Sequence, residues 1–296
     1  MSFLDPIRRL FRDPPPAHIF EVSTQCLAYG RPDHPQDIQY REFAPGVLRI
    51  SPLKDNILVP EAFSQAIESF TAAMAPAKKP RPAALILPDY AARLQILDFD
   101  TFPSNPEEQQ ALVRFRMKKT IPFDVESSAV SFYQQPSTVP KKIEVVAASM
   151  SLEIAGRYEA PFRAAGFHPG LVTTSACAAL SLAPKTGLNL IAKLSPGTFT
   201  VLVIDGESLR LVRCVELEDG SLEEITGLMH PTLVYVEDEL KRRPDRLLLC
   251  GFGADTATVA AGWQQELGVA AEGLQAGFGM PSRVNAGLLG YLQGVQ

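Results

Sequence analysis

Cysteine is scarce in this sequence, and none of it is spaced to hold a metal. The four cysteines, Cys26, Cys177, Cys214 and Cys250, lie far apart in apolar contexts and form no C-x-x-C pair. The four histidines, His18, His34, His168 and His230, are equally scattered. Metal-ligand spacing is therefore absent, and free, buried thiols in a reducing compartment are expected. A basic excess is missing as well. The formal net charge of −5 argues against general nucleic-acid binding. No apolar run reaches the roughly 18–20 residues that span a bilayer. The first residues also lack the continuous apolar core and small-residue cleavage site of a secretory signal, so a cytoplasmic location is expected. Serine-hydrolase motifs of the G-x-S-x-G kind are absent too.

What is present is ordinary globular material. The 296 residues are 46% apolar and 21% charged, enough for one large or two moderate domains. "MSFLDPIRRLFR" has Phe3, Leu4, Ile7, Leu10 and Phe11 on one helical face and arginines largely on the other. Residues 1–12 are thus a candidate peripheral membrane contact, with docking on the protein itself as the plainer reading. Residues 1–16 end in a Pro-rich linker. The segments "AHIFEVS", "CLAYGR", "DIQYREF" and "GVLRIS" read as a strand meander, and "EAFSQAIESFTAAM" as a helix. "APAKKPRP" is a Pro- and Lys-rich linker and a candidate subdomain boundary. In "SNPEEQQALVRFRMKKTIPFD", Asn105 predicts a helix cap, Pro106 a first helical position and Pro122 a stop. Strands "SAVSFYQ" and "KIEVVAASM" and the helix "SLEIAGRYEAPFRAAG" follow. From residue 188 the pattern starts again, with three strands, a long helix, the strand–turn–helix "RLLLCGFGADTATVAAGWQQELG" and a last helix "VNAGLLGYL". The chain thus reads as two halves alike in element order and not in residue identity.

Three stretches together resemble the type IV pilus assembly protein PilM family, within the actin and FtsA-like superfamily. They are "LILPDYAARLQILDFDTFPSNPEEQQALVRFRMKKTIPFDVESSAVSFYQ", "EVVAASMSLEIAGRYEAPFRAAGFHPGLVTTSACAAL", and "LLLCGFGADTATVAAGWQQELGV" with "NAGLLGYL". The resemblance implies an α/β, actin-like, two-lobed fold with an extra small α+β subdomain. The expected spans are a first subdomain over 17–83, the extra subdomain over 84–166, a return over 167–187 and a second lobe over 188–296. Family members are cytoplasmic, bind the N-terminal cytoplasmic tail of the inner-membrane protein PilN, and often hold ATP.

An actin-like site cradles phosphates in two hairpin loops, with an acid at each loop for Mg²⁺ and a glycine for close approach. The family's first loop reads roughly D-I-G-S-S-S-V-K. The matching residues run from Glu21 through Val22, Ser23 and Thr24 to Ala28. The acid survives as Glu21, while Ser23 replaces the glycine and Ala28 the lysine. In the second loop, "AKLSPGT", Ala192 stands for the aspartate, Leu194 for the glycine, and Pro196 removes a donor. Lys193 and Thr198 are the remaining candidates there. For Lys193, an exposed, solvated lysine is the plainer reading than a phosphate partner. Gly251 and Gly253 partly keep the family's nucleoside-contacting turn. A degenerate cleft is expected, with ATP and Mg²⁺ disfavoured and no catalytic residue.

The reading is a non-catalytic scaffold of a pilus or related assembly platform, a pseudo-ATPase in the terms of the resemblance. An extended PilN-like peptide is expected in a groove between the first and extra subdomains, beside Ile121, Pro122 and Phe123, and other platform proteins are expected partners. The rivals are an ATP-dependent switch using Glu21, Thr24 and Lys193 in altered roles, and a type II secretion homologue. The latter is expected to continue into a membrane-spanning helix, whereas this sequence ends at "LQGVQ".

Overall fold

The structure, a computed structural model, describes residues 15–72, 74, 79–137 and 141–296. The leader over 1–12 lies outside them, as does much of the "APAKKPRP" segment. The first strands, β1 (His18–Val22), β2 (Cys26–Arg31) and β3 (His34–Glu42), form the expected antiparallel meander. Two later strands, β4 (Arg81–Leu87) and β8 (Phe167–Thr174), join parallel to β1, in the order β3-β2-β1-β4-β8. Alternation along the strands sends apolar residues to both faces, as a sheet covered on both sides requires. Phe20, Leu27 and Leu85 meet Phe63, Ile67, Tyr158 and Phe162 of α1 (Pro60–Thr71) and α3 (Leu152–Ala164). Ile19, Ala84 and Ile86 meet α4 (Ser175–Ala179) and α7 (Ala286–Gly294) on the other face. "GVLRIS" does not become a fourth meander strand. It makes one isolated bridge, Leu48 to Ile57, because Ser51 and Asn56 side chains take up the local backbone N–H groups in tight turns.

The extra subdomain is smaller than the predicted 84–166. β4 is paired inside the first sheet, and α3 lies in the first lobe's core, so both ends of that span belong to the first lobe. What is inserted is β5 (Arg93–Phe99), α2 (Pro106–Met117), β6 (Ser128–Gln135) and β7 (Ile143–Ser151). Its sheet runs β5-β7-β6, all antiparallel, and α2 covers one face through Val113 and Met117. Asn105 caps α2 as expected, accepting from the Glu107 N–H at 2.9 Å.

The second lobe repeats the first. β9 (Leu188–Ser195), β10 (Thr198–Asp205) and β11 (Ser208–Glu216) form a meander, and β12 (Arg246–Cys250) and β13 (Ala271–Gly273) add parallel beside β9. The order β11-β10-β9-β12-β13 matches that of the first sheet. α5 (Leu222–Leu240) and α6 (Thr256–Leu267) cover one face. α7 then returns to the first lobe. It sits directly on α4 because Gly290 faces the Ala178 carbonyl, where a Cβ would come within 2.3 Å. Among the described residues no helix is long and apolar enough to cross a membrane.

Candidate functional site

The tips of β1 and β9 meet at the floor of a cleft between the lobes, of about 960 Å³. Glu21 sits at the end of β1, almost fully buried, and its carboxylate is taken up by hydrogen bonds. One oxygen accepts from Ser175 Oγ (2.5 Å) and the Gly287 N–H (3.2 Å), the other from the Leu288 N–H (2.6 Å). It thus caps the start of α7, where exposed N–H groups and the helix dipole favour negative charge. Burial pushes its carboxyl above the ordinary range, while Lys193 and these hydrogen bonds oppose the rise.

The first loop is closed on itself. Ser23 Oγ accepts from the Gln25 N–H (3.3 Å) and the Cys26 N–H (3.0 Å) and donates to the Cys26 carbonyl (3.0 Å). Thr24 is half-buried and lines the cleft. The second loop is a bare two-residue turn, Pro196-Gly197, between Ser195 and Thr198. Gly197 has φ +76°, as expected for the residue after proline in a type II turn. Between the two loops lies a cavity of about 20 Å³, lined by Glu21, Ser23, Asp89, Ser175, Pro196 and Arg283 among others. That is room for about one water.

Lys193 is neither solvated nor aimed at open space, which corrects the sequence-based expectation. It is 1% exposed, and its ammonium donates to Asp89 Oδ2 (2.9 Å) and Ser195 Oγ (2.7 Å). Asp89 opens a 3-10 turn (Asp89–Ala91) after β4; it also accepts from Thr200 Oγ1 (3.0 Å) and the Ala176 N–H (2.6 Å). Burial works against the Lys193 charge, but the Asp89 and Glu21 carboxylates outweigh it, so its pKa lies above the ordinary lysine value. Asp89 appeared in the sequence only as the acid of the "PD" turn; nothing local marked it as the partner of a residue 104 positions away.

At the third element, Gly251 has φ +85°, and a Cβ there would lie 2.1 Å from the Leu194 carbonyl oxygen. Its carbonyl accepts from Arg283 Nε at 3.0 Å. Close strand packing accounts for this glycine. Gly253 (φ +60°) opens a short 3-10 turn and faces open space.

A second concavity, apolar and about 400 Å³, runs between the extra subdomain and the first lobe. Its walls are two sheet edges, β6 and β8, each paired on one side only among the described residues. Along β6, Val130 and Phe132 enter the subdomain core while Ala129, Ser131 and Tyr133 are exposed. β7 contributes Val146, Ala148 and Met150 from the same side. Tyr133, Leu152 and Val172, three of the exposed large apolar residues of the chain, line this groove, and Leu171 adjoins it. Ile121 and Phe123 pack instead in the α2 core with Val113 and Met117, and Pro122 is exposed. The "IPF" segment therefore lies behind the sheet whose other face forms the groove. The sequence held the alternating pattern of β6, but not that its edge would face β8.

Comparison with solved structures sets this arrangement among known ones. A chain from a PilM–PilN type IV pilus biogenesis complex is 18% identical, with 96% of this chain and 100% of that one covered and a TM-score of 0.69. The chain has the PilM-like, actin-type fold. A Bacteroides thetaiotaomicron protein with an actin-like ATPase fold and unknown function is 11% identical (coverage 86% and 89%, TM-score 0.49). The cytoplasmic domain of EpsL, an inner-membrane component of the Vibrio cholerae type II secretion system, is 14% identical (78% and 80%, TM-score 0.49). No protein-family profile and no curated protein sequence matches. In PilM-like terms, Glu21, Ser23, Thr24 and Thr198 line the cleft floor and Lys193 reaches it through Asp89 and Ser195, Gly251 and Gly253 follow the neighbouring strand β12, and Ile121, Pro122 and Phe123 stand apart from both.

Proposed function

We propose that this chain is a non-catalytic, PilM-like scaffold that holds the cytoplasmic N-terminal segment of a PilN-like inner-membrane protein. It works at the cytoplasmic face of the inner membrane, within a pilus or related assembly platform that includes further partner proteins. The observation that carries the reading is the β6–β8 groove. Two sheet edges flank an apolar floor, the arrangement that receives an extended peptide by strand addition with side-chain anchors, although Gln110 and Arg114 of α2 already donate to the Val130 and Ser128 carbonyls of β6. Its exposed Tyr133, Leu152 and Val172 form a patch of the kind that marks interaction sites. The fold is shared with a chain from a PilM–PilN complex, which names the kind of partner. The absence of catalysis is inferred from the cleft floor. Loop N–H groups are engaged by Ser23, the surviving acid caps a helix, and the surviving lysine neutralises Asp89.

The test is a titration of the chain with a labelled synthetic peptide of the partner's cytoplasmic N-terminus. Ser131→Arg places a charge on the exposed groove face of β6 and is expected to weaken binding at least about tenfold, roughly 1.4 kcal/mol. Phe115→Ala, on the exposed side of α2, leaves it unchanged. Undiminished affinity in both Ser131→Arg and Val172→Arg rejects the groove.

A further inference from the structure

The polar contacts between the lobes go beyond what the groove requires. Asp89 belongs to the first lobe, where its Oδ1 accepts from the Ala176 N–H at the start of α4. Its Oδ2 is held by Lys193 on β9 and Thr200 on β10, both in the second lobe. Both side chains of the ion pair are 2% exposed or less. Separating the lobes therefore breaks an ion pair and the Thr200 hydrogen bond at the same time, and the two charges, dry in the closed form, must each find water instead. A second strap joins the extra subdomain to the second lobe. Gln135, at the end of β6, donates to the Leu209 carbonyl (2.6 Å) and accepts from the Leu209 N–H (3.0 Å). Beside it, Arg210 pairs with Glu144 at 2.5 Å, both buried.

In an actin-type fold the cleft floor is where a bound nucleotide would touch both lobes. Here the floor beneath the cleft leaves space for about one water between the bases of the two loops, and the charged contact across it is supplied by the chain itself. We propose that the Asp89–Lys193 pair is a resident clamp, holding the lobes closed in the absence of any ligand so that their spacing does not respond to nucleotide. The Gln135–Leu209 strap anchors the end of the groove strand β6 to the same closed frame, so that the groove is presented ready-formed. This inference rests on the nucleotide-free part of the functional reading. Peptide titration tests the groove separately, so each can fail without the other.

The experiment measures the distance between spin labels on Glu68→Cys in α1 and Glu239→Cys in α5, both exposed positions on opposite lobes. The otherwise unmodified chain is expected to give one narrow distance population, identical with and without millimolar Mg·ATP. Adding Asp89→Asn with Lys193→Met is expected to bring in a second, longer population. A shift on Mg·ATP in the otherwise unmodified chain, or an unaltered distribution in the doubly substituted one, overturns the clamp. Where the double substitution prevents folding, Thr200→Val, which removes one cross-lobe hydrogen bond to Asp89, is expected to broaden the distribution, and an unaltered one overturns the clamp.

Discussion

Glu21 illustrates how one residue type serves different ends according to what its neighbours offer. In the loops of the resembled family an acid here serves a metal; in this chain its oxygens are spent on the first N–H groups of α7 and on Ser175. Glu21→Ala leaves the Gly287 and Leu288 N–H groups unpaired in a dry site, at about 1–3 kcal/mol for each orphaned donor. A loss of about 2–4 kcal/mol is expected by urea unfolding. The loss also depends on pH. Burial raises the folded-state pKa of Glu21 above its unfolded value, so its share of stability is complete below the unfolded pKa and shrinks as pH rises through the folded one. The difference between parent and Glu21→Ala is therefore larger at about pH 5 than at about pH 8. The acid itself was plain in the sequence. Its hydrogen-bond donors were not, since the nearest helix N–H lies 266 positions away.

At the scale of elements, the closing helix shows why glycine placement matters more than glycine number. Gly287, Gly290 and Gly294 lie on the side of α7 that rests on α4 and its continuation, with Cβ positions 2.7, 2.3 and 2.7 Å from neighbouring atoms. Gly290→Ala meets the Ala178 carbonyl, which cannot swing aside, so the helices must part. A destabilisation of about 3 kcal/mol or more is expected in thermal unfolding. Gly227→Ala, exposed on α5 with nothing within 4 Å, gains helix propensity and is expected to stabilise by about 0.5–1 kcal/mol. Helix starts were legible at this scale because a cap is a local event: Asn105 needs only the N–H of Glu107. "GVLRIS" was not, because whether a short apolar run pairs depends on a neighbouring edge, and here local side chains claimed its backbone first.

For the whole molecule, the relevant quantity is the coupling between lobes. A ligand that binds only the folded chain stabilises it by mass action, about 2.7 kcal/mol at one hundred times Kd. With the loop donors engaged and the floor closed, Mg·ATP and Mg·ADP at millimolar concentration are expected to leave the unfolding midpoint unchanged and to give no heat in calorimetry. Micromolar binding would restore the nucleotide-switch reading. The boundaries of the extra subdomain also belong to this scale. The predicted 84–166 took in β4 and α3, because a buried strand and an amphipathic helix look alike whichever sheet they cover, and only the pairing of β4 with β1 assigns them.

The sequence by itself determined the repeated order of elements and the caps that start its helices, since each is written in neighbouring residues. Strand alternation and caps act over a few positions and survive without any knowledge of partners. Tertiary structure alone decided where Lys193 sends its charge and which strand edges face one another. Lys193 finds Asp89 from another lobe, and β6 meets β8 from another sheet. Both depend on burial, which turns a lysine that would be solvated in a loop into half of an ion pair, and leaves two sheet edges with an apolar floor between them.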